Sequence, residues 1–113
     1  MSDKYILVGQ TPVPCEDLME WARWYETADR HVFDESTVTH RVSTVFLGLD
    51  HNFQRLIMGV GEPLLFETMV FCQHESKCDL DGEMDRYSTW SEAEAGHHAM
   101  VERVKAETGR RTA

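Results

Sequence analysis

Apolar and polar positions alternate most clearly in two segments, Arg41 to Phe53 (RVSTVFLGLDHNF) and Pro63 to Phe71 (PLLFETMVF). In the first, Val42, Thr44 and Phe46 share one face, while Val45, Leu47 and Leu49 share the other. In the second, Leu64, Phe66, Thr68 and Val70 lie on one face, and Leu65, Glu67, Met69 and Phe71 on the other. Both segments read as neighbouring strands. The first is apolar on both faces towards its end, the pattern of a central strand covered on both sides. Gly48 removes a side chain there, which predicts a bulge or a close approach by a neighbour.

Helical spacing appears before and after these strands. Leu18, Trp21, Ala22, Tyr25, Ala28 and Val32 follow the i, i+3, i+4, i+7 rule. The spacing predicts a first helix starting near Cys15, with Glu16 and Asp17 in a first turn where the dipole favours negative charge. Trp24 falls on the border between its faces, as a ring covering the core edge or a platform for a ligand. Near the end of the chain, Thr89-x-x-Glu92 reads as a capping box, Trp90 as the first helical residue and Gly109 as the stop. Trp90, Ala93, His97, Met100, Val101 and Val104 form its inner stripe, and Arg110 to Ala113 are expected to fray.

The remaining elements are shorter. Tyr5 to Val8 reads as a strand closed by a Gly9-Gln10 turn. Pro12 and Pro14 make Thr11 to Cys15 an edge or linker piece. His31 to Thr39 is polar and reads as a loop. Asp81-Gly82 is a turn signal, with a short strand from Glu83 to Tyr87. Between the two main strands, DHNFQRLIMGVGEP is long for a hairpin. Its Leu56, Ile57, Met58 and Val60 are too apolar for a solvated loop, so they are expected to fold over the sheet or to sit in a partner interface. The simplest architecture is one α+β domain over residues 1–113: a small antiparallel or mixed sheet with two amphipathic helices packed on one face.

Composition adds three constraints. A chain of 113 residues with 42% hydrophobic positions can bury one modest core, which excludes wholesale disorder. A formal charge of -9 and the lack of a basic stripe argue against tracking nucleic-acid phosphates. No apolar run approaches the ~20 residues needed to cross a bilayer, and the N-terminus does not read as a signal segment. Cys15, Cys72 and Cys78 are an odd number. The expectation is therefore a reducing cytoplasm with all three thiols free, and a fold that needs no metal or cofactor.

Candidate chemistry centres on a few polar residues. Asp50 and His51 end a strand, a usual place for site residues, with Asn52 and Arg55 in the following loop. Glu67 sits within an apolar strand face, and His97 is centred on the last helix's apolar stripe. An unpaired buried carboxylate costs several kcal/mol, which makes Glu67 and His97 natural partners. Asp50, His51, Glu67 and His97 have the residue types of a metal or hydrolytic cluster, without the spacing of a metal motif. Cys72-x-His74-x3-Cys78 offers three soft ligands and lacks a fourth. Asp79-x-Asp81-Gly82 fails as a calcium loop, because Lys77 and Ser88 fall on ligand positions.

Three segments taken together, DLMEWARWYETADR, RVSTVFLGLDHNF with PLLFETMVF, and RYSTWSEAEAGHHAMV, resemble small uncharacterised proteins encoded by tailed bacteriophages and prophages. The resemblance implies a viral accessory protein in the host bacterial cytoplasm and carries no activity or catalytic residue with it. The functional expectation is a non-enzymatic, homo-oligomeric protein that binds a host protein or small molecule, for instance to antagonise host defence. Its candidate contact residues are Trp24, Asp50, His51, Asn52, Arg55, Glu67 and His97. The alternative is a small hydrolase-type enzyme, with or without metal, using Asp50, His51, Glu67 and His97.

Overall fold

The computed structural model describes residues 3–37, 39–73 and 80–112. Its elements in chain order are β1 (Tyr5–Val8), β2 (Thr11–Pro14), α1 (Leu18–Thr27), β3 (His31–Ser36), β4 (His40–Phe46), α2 (Phe53–Met58), β5 (Phe66–Cys72), β6 (Met84–Tyr87) and α3 (Trp90–Thr112). Strands β3, β4, β5 and β6 form an antiparallel sheet in that order, while β1 and β2 form a separate hairpin. The fold class is α+β, as the alternation predicts.

The centre of the molecule follows directly from that alternation. Val42, Thr44 and Phe46 stand opposite Val70, Thr68 and Phe66 across β4 and β5, and all six are fully buried. Ala93, His97, Met100, Val101 and Val104, at helical spacing on α3, are buried too. Their apolar members sort into two clusters. One holds Val42, Val70, Leu80, Met100, Val101 and Val104, and the other Tyr5, Phe46, Leu65, Phe66 and Ala93. Thr44, Thr68 and His97 lie between them as a polar belt.

The two ends of the Thr89-x-x-Glu92 motif meet at the start of α3. Glu92 N donates to Thr89 Oγ1 at 3.1 Å, and the Thr89 hydroxyl donates to Glu92 Oε1 at 3.0 Å. The helix runs past the expected stop at Gly109 to Thr112, so the predicted fraying from Arg110 is not seen through that residue. Ala113 lies outside the described residues.

Several expectations need correction. His31–Ser36 is an edge strand rather than a loop. Asp34 pairs with Arg41 on the face away from α3, while Phe33 turns inward against Trp90 and His97. Helix α3 packs on one face of the sheet. The other carries the ion pairs Arg41–Asp34 and Arg86–Glu67, and Phe71 there remains 43% exposed. Helix α1 starts at Leu18, where the Asp17 carboxylate accepts from Met19 N and Glu20 N. It ends before Val32, buries no residue fully, and packs on β1 instead of lying beside α3 across the sheet. Its attachments are specific. Trp21 Nε1 donates to the carbonyls of Tyr5 and Gly48, both at 3.1 Å, and Tyr25 lies over Gly48, whose φ is +76°.

In the hairpin, Cys15 N donates to Lys4 O, so the ladder donors are the odd-numbered residues of β2. The missing N–H groups of Pro12 and Pro14 therefore fall on the outer edge, where nothing needs them. Cys72 is disulfide-bonded, contrary to the expectation of three free thiols, and its partner lies outside the described residues. An odd thiol count leaves room for one bond and one free thiol. Cys15 is that free thiol, and burial, aided by Glu20 and Asp17, pushes its pKa up. The candidate ligands His74 and Cys78, and Lys77 and Asp79 of the calcium-loop test, also lie outside the described residues. Asp81 has a structural role, accepting from Cys72 N at 2.8 Å.

Gly96 is the tightest position in the helix packing, because a Cβ there would fall inside the ring and hydroxyl of Tyr87. Gly96→Ala should destabilise the fold by about 1–3 kcal/mol through overpacking, against a helix-propensity gain of only ~1 kcal/mol. Urea denaturation checks this, and an unchanged or raised midpoint would contradict it.

Candidate functional site

Beyond β4 the chain turns through Gly48 and reaches Asp50, whose side chain has no exposed surface. Its backbone N–H donates to Asp3 O, and its carboxylate is filled from three directions. Oδ1 accepts from the N–H groups of Asn52 at 2.8 Å and Leu64 at 3.0 Å, and Oδ2 accepts from Arg55 Nη1 at 2.9 Å. Asn52 then caps α2, accepting from Arg55 N and donating through Nδ2 to Glu62 O. Gly59, at φ +72°, closes the helix with its N–H on Arg55 O. His51 donates from Nδ1 to Leu49 O at 2.9 Å.

Asp50, His51, Asn52 and Arg55 lie together, and their polar atoms hold the loop. The consequence is on the outside. Phe53, Leu56, Ile57, Met58 and Val60 are all exposed, Ile57 at 84% and Phe53 at 65%. Exposed apolar side chains are ordinary when scattered, but here five fall within eight residues. The sequence shows this segment as too apolar for a loop. It does not show the Asn52 cap, because Asn52-x-x-Arg55 lacks the acidic residue of a capping box.

His97 is fully buried beneath β3 and over β4. Its Nδ1 lies 2.7 Å from Thr44 Oγ1, which in turn lies 2.5 Å from Thr68 Oγ1. Its Nε2 faces Glu35 Oε1 at 3.7 Å, beyond hydrogen-bond reach. A neutral ring with its proton on Nε2 suits this setting best, since Nε2–H then points at a carboxylate and Nδ1 accepts the Thr44 hydroxyl proton. At the far end of the belt, the Tyr87 hydroxyl is buried beside Thr68 but out of bonding geometry; burial, the dominant cause, pushes its pKa up. Burial likewise pushes the His97 pKa down, and the nearby Glu35 carboxylate opposes it only in part.

Glu67 is not the partner of His97. Strand alternation turns it to the opposite face of the sheet, where it is half-buried and accepts from Arg86 Nε at 3.0 Å. Trp24 packs edge-on against Phe46 at 5.7 Å and covers the core edge. The four residues of the hydrolase reading therefore stand apart: Asp50 and His51 in the α2 loop, Glu67 on the sheet face away from α3, His97 under α3. Among the described residues no group of three His, Cys, Asp or Glu side chains could hold a metal ion, and no helix is long and apolar enough to cross a membrane. No protein-family model matches this chain, and no curated protein or solved structure does either.

Two measurements follow from these placements. Burial lowers the His97 pKa on folding from the ordinary histidine value of 6.5. Above pH 6.5 its neutral form is compatible with the fold. As the pH falls through 6.5 towards the folded pKa, the unfolded chain binds the proton first and stability drops. Denaturation of His97→Asn between pH 7 and pH 5 should therefore show lower stability at neutral pH and a shallower loss on acidification than wild type. An unaltered slope would contradict the assignment. Glu67→Gln and His97→Asn, on opposite faces and without shared partners, should be additive within about 0.5 kcal/mol in a double-mutant cycle. A larger coupling would restore the pairing.

Proposed function

We propose that this chain is a non-enzymatic binding protein whose contact surface is the apolar α2 knuckle. One observation carries the reading: a six-residue helix presents Phe53, Leu56, Ile57 and Met58 to solvent while a fully buried carboxylate, Asp50, holds it in place. A fixed backbone spares part of the ordering cost of docking, which is the advantage of a pre-organised surface. Side chains this exposed project outward, and their natural counterpart is a cleft on a protein rather than a small molecule. The scattered positions of Asp50, His51, Glu67 and His97 give the enzyme reading no support.

The bacteriophage setting rests on the sequence resemblance alone. Within it, the target is a host protein met in the cytoplasm of the infected bacterium. Tagged wild type and Ile57→Asp, both shown folded by circular dichroism, should be used to capture proteins from infected cells. Wild type should retain a host protein at near-stoichiometric yield, and Ile57→Asp should lose it. Identical captured proteins for the two chains would overturn the reading.

A further inference from the structure

We propose that the polar belt under α3 is a proton-operated switch, in which a proton taken up by His97 reverses the hydroxyl chain running from Thr44 to Tyr87. The belt crosses the whole sheet, from Glu35 on β3 through His97, Thr44 on β4 and Thr68 on β5 to Tyr87 on β6. Its inner contacts are short, 2.7 Å from His97 Nδ1 to Thr44 Oγ1 and 2.5 Å from there to Thr68 Oγ1. Its two ends are loose. His97 Nε2 stands 3.7 Å from Glu35 Oε1, and the buried Tyr87 hydroxyl has no bonded partner.

A hydroxyl has one donor and two acceptor sites, so each threonine can pass a hydrogen bond in either direction. With His97 neutral and its hydrogen on Nε2, Thr44 donates to Nδ1 and Thr68 donates to Thr44. Every donor then points towards the ring. A proton from solvent that comes to rest on Nδ1 forbids this order, because Nδ1 has become a donor. Thr44 must accept from it and turn its own hydrogen to Thr68. Thr68 in turn directs its hydrogen to the oxygen beside it, that of Tyr87. The hydroxyl hydrogens rotate about their C–O bonds, and no bond in the chain breaks. At the other end, the new charge draws the Glu35 carboxylate, 47% exposed, towards Nε2–H. The edge strand thereby gives up a surface charge to the core.

The groups around the ring set when this happens. From β3, Glu35 attracts the imidazolium, and Asp34, already bonded to Arg41, adds a weaker pull from the far face. On α3 itself His98 opposes it, with 5.8 Å between the rings, while Phe33 flanks the imidazole at 5.3 Å. β4 and β5 face it with the Thr44 and Thr68 hydroxyls, and β6 with the Tyr87 phenol beyond them. Burial outweighs the attraction, so the proton is taken up below the ordinary histidine value of 6.5.

Nitrogen NMR of the His97 ring from about pH 7.5 to 4.5, spanning the histidine range, tests the switch. At neutral pH the ring should carry its hydrogen on Nε2. On acidification it should gain a second on Nδ1 while the protein stays folded, and the amides of Glu35 and Tyr87 should shift with the same midpoint. Tyr87→Phe keeps the ring against Gly96 and removes only the acceptor. It should lower the His97 midpoint by about half a unit to one unit, the size of an ordinary hydrogen bond. Thr68→Val breaks the chain one link nearer and should lower it at least as much. A merely buried histidine would not respond to a phenol oxygen beyond two threonines. A hydrogen on Nδ1 at neutral pH, unfolding before the ring titrates, or a midpoint unmoved by these substitutions would overturn the switch.

Discussion

A carboxylate without exposed surface is tolerable only when its lone pairs are filled, and Asp50 meets that condition with three donors from its own loop. One further contact, through Asp3, comes from a distant part of the chain. Asp3 receives the Asp50 N–H, Arg55 supplies the counter-ion, and Leu64 N closes the approach to β5. Removing any one donor would leave a charge partly unsatisfied out of water, so the loop is held as a unit. This explains how α2 keeps its apolar side chains in water without collapsing onto the sheet. The polar atoms face inward and fix the backbone; the apolar groups face outward as a result. The usual order of a loop is inverted, and the inversion is what makes α2 a candidate contact surface.

The long helix is fixed by a different device. Apolar contacts between α3 and the sheet are non-directional and alone would tolerate rotation or sliding of the helix. The His97 to Thr44 contact, at 2.7 Å, does not. With Thr44 and Thr68 paired across β4 and β5, it divides the core into two apolar clusters and gives α3 a single rotational setting. Gly96 sets the depth, since only a residue without a side chain lets α3 settle against Tyr87. The cost is a buried imidazole whose Nε2 has no bonded partner, and hence the sensitivity to acid.

Much of this fold is legible in the sequence where burial and periodicity coincide. Val42, Thr44 and Phe46 on β4, Phe66, Thr68 and Val70 on β5, and the stripe from Trp90 to Val104 specify the sheet centre and its covering helix. The capping box at Thr89 and Glu92 marks that helix's start. Edge elements are harder to read, because pairing with one neighbour does not require apolar alternation. His31–Ser36 reads as a loop for that reason. Glu67 illustrates a second limit. Its position suggests a partner on the covering helix, yet it lies on the sheet face away from α3, and Arg86 of β6 is its partner. In the site, the residue types at Asp50, Asn52 and Arg55 were visible, whereas their inward direction depends on Leu64 and Asp3, which no local pattern connects to them.

The central claim is that Asp50 holds α2 in place independently of the core. Hydrogen–deuterium exchange of wild type and Asp50→Asn, resolved by peptide, tests it most directly. The substitution leaves Arg55 without its counter-charge, a loss of about 3–5 kcal/mol for a buried pair. The account predicts that protection falls across residues 50–64 while the central amides of β4, β5 and α3 keep theirs. Unchanged protection in α2, or an equal loss throughout the chain, would contradict it.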